Sequence, residues 1–273
     1  MQTMERPSVA PVHPSRRPAP WPVEFYRSAI GKKWVMALTG IGLMGYVFFH
    51  MLGNLKLYLG AEEFNHYSEF LRELFVPILP RTFFLWLLRI GLIVAFGFHI
   101  HAAYSLTVIN HRAQSENRLV QKREWQAANI ASRSMRYTGV TVLLFLAWHL
   151  ADLSWGWVNP DFVRGDAYRN LVASFERPPI ALLYIVANIA LGAHLWWGAW
   201  AMFQSLGLNN PRWNSWRRYF AMGFAVIVAG ANISFPIAVM AGVVSADDNS
   251  DCVKQGDKIV SCEHYAGDAE EGS

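Results

Sequence analysis

Val47-Phe48-Phe49-His50-Met51-Leu52-Gly53-Asn54-Leu55 decides how this chain folds. It sets a histidine and a Gly-Asn pair inside a run otherwise oily enough to lie in lipid. An ionisable side chain at that depth is costly and marks a candidate functional site. Three further apolar runs also enclose histidine: His99 with His101, then His149, then His194. The chain has 273 residues, 53% hydrophobic, 14% aromatic and 16% charged, with twelve tryptophans. That balance excludes an ordinary soluble domain and suits a protein anchored at two membrane–water interfaces. The net charge of +4 is modest, and no basic patch of the nucleic-acid-binding kind is present.

Five apolar runs, at about 34–58, 83–109, 137–158, 179–206 and 219–245, reach the ~20 residues that span ~30 Å of hydrocarbon. Lipid offers no hydrogen-bond partners, so each run is expected to be a helix. The expected fold is all-α: a bundle of five transmembrane helices over residues 23–245. Residues 1–22, with six prolines and no apolar centre, read as an extended arm and not a cleavable signal peptide. Residues 246–273 form a tail. The flanks 1–33, 110–136 and 207–218 hold fifteen Lys and Arg, against seven in 60–82, 159–178 and 246–273, which also carry fifteen of the twenty acids. The positive-inside rule then places the N-terminus in the cytoplasm and the C-terminus outside.

Depth follows from helix rise. His50 and His149 lie eight or nine residues before the outer ends of the first and third helices, about 12–14 Å below the outer hydrocarbon surface. On the inward-running second and fourth helices, His99, His101 and His194 fall in the inner half. Two layers result, each able to supply two neutral imidazoles from two helices at one depth, which is what bis-histidine ligation of a b-type haem requires. The outer layer pairs His50 with His149. The inner pairs His194 with either His99 or His101, which point about 200° apart; the face of His101, shared with Gly97, Tyr104 and Ser105, looks more like a lined site. Centres at the two depths would lie on the order of 15 Å apart. Gly42, Gly53, Gly97, Gly192 and Ala193 would let a flat macrocycle approach the backbone, or serve ordinary small-residue helix packing. Arg89 is placed to pair with a haem propionate or to snorkel; Asp152 is expected to snorkel to the interface.

Five helices with histidine on the first four, Phe-His-Met-Leu-Gly-Asn-Leu at 49–55, and Ser-Ala-Ile-Gly-Lys-Lys at 28–33 together resemble the cytochrome b membrane-anchor subunit of succinate dehydrogenase and fumarate reductase. Within that family the chain looks like the single-polypeptide, di-haem kind, and His-Ile-His-Ala-Ala-Tyr at 99–104 is similar to actinobacterial members. The resemblance implies a flavoprotein subunit and an iron–sulfur subunit docked on the cytoplasmic face of the bacterial inner (plasma) membrane. It implies electron transfer from succinate to menaquinone or ubiquinone through one or two b haems, with no catalytic succinate site on this chain. His50 and His149 match the distal haem ligands, and His194 with His99 or His101 the proximal ones.

The quinone's hydrogen-bond donors are expected among Tyr26, Arg27, Ser28 and Trp34 on the cytoplasmic side, or Tyr58, Glu62, Glu63 and His66 on the outer side. Membrane-flank Tyr and Trp also serve as plain interfacial anchors. The tail departs from the family pattern. Cys252 and Cys262 form a disulfide closing a short hairpin, or they join His50 and His149 as ligands of a Rieske-type [2Fe–2S] cluster, which takes two Cys and two His. Readings from other classes are a haem-free structural anchor for the soluble subunits and a stand-alone b-type cytochrome.

Overall fold

The computed structural model describes residues 19–116 and 126–246, together with the strands 252–255 and 258–262. A short helix, α1 (Trp21–Arg27), turns through Ser28 into α2 (Ala29–Asn54). Ser28 caps α2 by accepting from the Gly31 amide at 2.9 Å, satisfying one of the unpaired N–H groups of the first turn. Then come α3 (Ala61–Glu73), α4 (Phe83–Glu116), α5 (Gln126–His149), α6 (Ala167–Phe175), α7 (Pro178–Ser205) and α8 (Asn214–Met240). Proline at the first positions of α7 fits there because those amides need no partner within the helix.

Five helical stretches are long and apolar enough to cross a membrane: Ala29–Leu59, Phe83–Arg112, Arg133–Ser154, Pro178–Ser205 and Pro211–Met240. The protein is a multi-pass membrane protein. The last stretch begins earlier than hydropathy suggests, since α8 takes in Arg217 and Arg218. Arg217 is 2% exposed because its guanidinium donates to the Leu208 carbonyl, Asn209 and Asn214, tying the α7–α8 turn to the helix.

α2 packs on α4 and α7, α5 on α7, and α7 on α8. Among the described residues, α2 makes no more than marginal backbone contact with α5, nor α4 with α7. The tightest packing lies at one end of the bundle, where α3 and α6 cover the helix ends. There Leu57, Phe64, Tyr168, Leu171, Phe175, Tyr184, Phe235 and Val239 form a continuous core. Asn65 joins the two covering helices, donating to Asp166 at 3.0 Å and accepting from the Tyr168 amide at 3.1 Å. Beyond α8, β1 (Cys252–Gln255) and β2 (Lys258–Cys262) pair antiparallel with Cys252 opposite Cys262.

Candidate redox centres

Four histidines from four helices meet in two pairs. His50 of α2 faces His149 at the end of α5, with ring centroids 6.0 Å apart and planes at 88°. His99 of α4 faces His194 of α7, with centroids 6.5 Å apart and planes at 67°. Two imidazoles bound on opposite sides of one metal, with bonds of about 2 Å and ~1.1 Å from nitrogen to ring centre, would hold their centroids roughly 6.3 Å apart. The helices bearing each pair are those that do not pack on one another. His50 is exposed and the other three rings half-buried, so protein atoms seal none of the four. Residue types, separation and gap all fit a planar group held between two histidines.

The choice between His99 and His101 falls to His99. α2 presents Thr39 to the inward face of α4, where Thr39 Oγ1 lies 3.2 Å from His99 Nδ1. His101 points the other way, and its Nδ1 lies 2.5 Å from the Tyr26 hydroxyl of α1. The face of His101 does line a cavity, of about 470 Å³, bounded by Tyr26, Val94, Gly97, Phe98 and His101. The partner there is a phenol, not a second imidazole.

The inner pair is built twice from one pattern. Thr138 Oγ1 stands 3.2 Å from His194 Nδ1, as Thr39 does from His99. The next residue is glycine in both cases: a Cβ on Gly40 would sit 3.4 Å from His99 Cε1, and one on Gly139 would sit 3.4 Å from His194 Cε1. Met36-x-x-Thr39-Gly40 with His50 ten residues on is repeated as Met135-x-x-Thr138-Gly139 with His149 ten residues on. Gly97-x-His99 likewise returns as Gly192-x-His194. The bundle is a tandem repeat, and each histidine pair takes one member from each half. From Thr39 to His50 is eleven residues, so the two pairs stand about 16 Å apart along the helices. This recurrence was readable in the sequence and is the signal that histidine depths alone overlook.

The outer pair is asymmetric. After His149 the chain makes a π-helical turn, Leu150–Ser154, which brings Asp152 inward. Asp152 is 0% exposed, against the expectation that it snorkels. It accepts from Tyr184 at 2.9 Å, from Ser174, and from Arg177 at 2.9 Å, an ion pair whose arginine side chain is 27% exposed. A buried carboxylate with three donors is stable where it stands, whereas reaching the interface would strand Arg177. Tyr184 spends its proton on Asp152 and turns its oxygen to His149 Nδ1 at 3.5 Å. His50 instead stacks on Tyr46, centroids 5.4 Å apart.

Other candidates are scattered. Arg89 lies over the Trp86 ring at 5.0 Å. Gly42 and Gly97 leave open space, but a Cβ on Gly53 would meet Tyr67 at 2.7 Å and one on Gly192 would meet Ala229 at 2.9 Å, so these two serve helix packing. Ser28 is taken up in capping, and Lys32 holds the Arg27 carbonyl at 2.8 Å. Trp34 is exposed on α2. Tyr58 bonds to Ser234 at 2.6 Å, Glu63 pairs with Lys56 at 3.0 Å, and Glu62 and His66 lie on α3. The side chains of Cys252 and Cys262, and so the cysteine half of the outer-cluster expectation, lie outside the described residues, as does the arm 1–18. No group of three or more His, Cys, Asp or Glu able to hold a metal ion occurs among the described residues.

Residues 109–233 match the family described as the succinate dehydrogenase/fumarate reductase transmembrane subunit. The matched stretch takes in α5, α7 and most of α8, with His149 and His194; the motifs at 28–33, 49–55 and 99–104 lie outside it. The quoted motifs of the resemblance lie in the first half of the chain and the match covers much of the second, and both point to the same family. No curated protein and no solved structure gave a match to the chain.

Proposed function

We propose that this chain carries electrons through the membrane as the cytochrome b anchor of a succinate:quinone oxidoreductase. The observation that supports it most is the meeting of four histidines from four helices as two opposed pairs at two depths. His99 with His194, and His50 with His149, are the residues that would hold b haem, which supplies a one-electron couple at each depth. The chain holds the imidazoles in register and sets the two centres about 16 Å apart along the helices. Arg89 is the cation available to a propionate at the outer centre.

The quinone headgroup is assigned to the cavity of Tyr26 and His101. Two hydrogen-bonding side chains in mutual contact sit at its wall, with Val94 and Phe98 to take the ring. Partial burial holds the Tyr26 phenol above its ordinary pKa, so it stays a proton donor. His101 is exposed at the mouth of this cavity. With the N-terminus cytoplasmic, the orientation that the charge asymmetry supports, this cavity and the inner pair would lie on the side where a flavoprotein and an iron–sulfur subunit dock.

The test is a dithionite-reduced minus oxidised spectrum of the purified complex, with Tyr26→Phe and His101→Ala assayed for quinone reduction. Full haem with quinone reduction lowered at least tenfold in both variants is expected. A complex without a haem Soret band would leave a structural anchor in place of this reading. Full quinone reduction by both variants would move the quinone elsewhere.

A further inference from the structure

The inner pair carries more order than a metal ligand needs. Each imidazole has one threonine hydroxyl beside it: Thr39 for His99 and Thr138 for His194. A hydroxyl has a single proton. Thr39 Oγ1 lies 2.7 Å from the Val35 carbonyl and 3.2 Å from that of Met36; Thr138 Oγ1 lies 2.7 Å from the Ser134 carbonyl and 3.4 Å from that of Met135. Carbonyls only accept, so the hydroxyl proton is committed to the helix backbone and the oxygen meets the imidazole with a lone pair. The ring nitrogen facing it must then donate.

We propose that Thr39 and Thr138 are positioning residues for the inner centre: each accepts the Nδ1–H of the histidine on the neighbouring helix, fixing the tautomer whose bare Nε2 is free to bind iron. A neutral imidazole carries one N–H, so fixing it at Nδ1 leaves the lone pair on Nε2. Threonine commonly bonds back to its own helix, and Thr107 and Thr141 do so here, at 2.8 and 3.0 Å. Only the two repeat-matched threonines carry a described bond to histidine as well. Gly40 and Gly139, one residue on, let the ring edge lie close to the backbone, where a Cβ would already meet it at 3.4 Å.

This rests on the haem reading above. An acceptor on Nδ1–H makes the imidazole a stronger donor to the metal and favours the oxidised form. The test uses the intact membrane complex with Thr39→Val, Thr138→Val, the double variant, the corresponding Ser variants, and Thr107→Val as a control. Redox titration is followed at the two centres separately. Each Val variant is expected to raise the ferrous-to-ferric ratio of the inner centre at fixed ambient potential roughly threefold, an upward shift of about 28 mV at 59 mV per decade. Ser should restore the original value, Thr107→Val should change nothing, and the outer centre serves as the internal reference. Loss of the inner haem from Val but not Ser variants is the same result in stronger form. Unshifted inner potentials, equal shifts in Val and Ser, or haem loss from both overturn the proposal. A wild-type complex that holds no haem fails the underlying reading instead, before any variant is made.

Discussion

The inner and outer histidine pairs come from one repeated pattern and have been finished differently. At the inner pair both halves keep Thr-Gly against the ring, and the two imidazoles have the same neighbours. At the outer pair the halves part company three residues past the histidine. The first half has Gly53, on which the Tyr67 ring of α3 closes. The second has Asp152, which gathers Ser174, Arg177 and Tyr184 and through Tyr184 reaches His149. The same position thus receives a ring in one half and a buried charge in the other. The lesson is that repetition placed the ligands, while the helices covering one end of the bundle, α3 and α6, set what surrounds them.

The largest effect expected of a single change is the loss of one centre. His99→Ala or His194→Ala should remove the inner haem and leave the outer, whereas His101→Ala should keep both. Haem per chain by the alkaline pyridine assay checks this, and a haem lost with His101 would break the assignment of His99. Asp152→Asn comes next. It leaves Arg177 facing a neutral amide, and because the arginine side chain is partly exposed the cost falls at or below the low end of the about 3–5 kcal/mol seen when a buried pair is broken. A lower Tm of the detergent-solubilised complex, with both haems retained, is the expected outcome.

Gly53→Ala, at the matched position, crowds a ring edge that can shift and should cost roughly 1–3 kcal/mol. Equal Tm losses at 53 and 152 would blunt the contrast between the halves. Tyr184→Phe deletes the hydroxyl between Asp152 and His149, costing about 1–2 kcal/mol. It should perturb the outer centre's spectrum alone, and a change at the inner centre would contradict the separation of the two.

The smallest effect concerns Glu69 of α3. Partial burial works to raise its carboxyl, yet hydrogen bonds from Arg81 and Arg72 hold it below the usual range on balance. A depressed carboxylate stabilises the fold at and above its ordinary range and loses that contribution as pH falls through the lowered folded value. The small Tm gap between wild type and Arg81→Ala should therefore be open at neutral pH and close in acid.

The five spanning helices were legible because lipid enforces one rule, an apolar run of sufficient length, that composition records directly. The pairing of histidines by depth was legible because helix rise is fixed. Which of His99 and His101 faces inward was not, since it depends on α2 bringing Thr39 to one side of α4 and α1 bringing Tyr26 to the other. The burial of Asp152 was hidden for a similar reason: it needs a π-helical turn and an arginine twenty-five residues further on. α3 and α6 went unseen as well, because short helices between spans leave no hydropathy signal.

The central claim is that each histidine pair holds a redox group between two helices. Haem, iron and acid-labile sulfide quantified per chain in the purified complex test it most directly. Two b haems per chain, with no labile sulfide beyond the soluble subunit's clusters, is the predicted result. One haem with additional labile sulfide would place an iron–sulfur cluster at His50 and His149 and contradict the outer assignment. No haem and no additional sulfide would contradict the account as a whole.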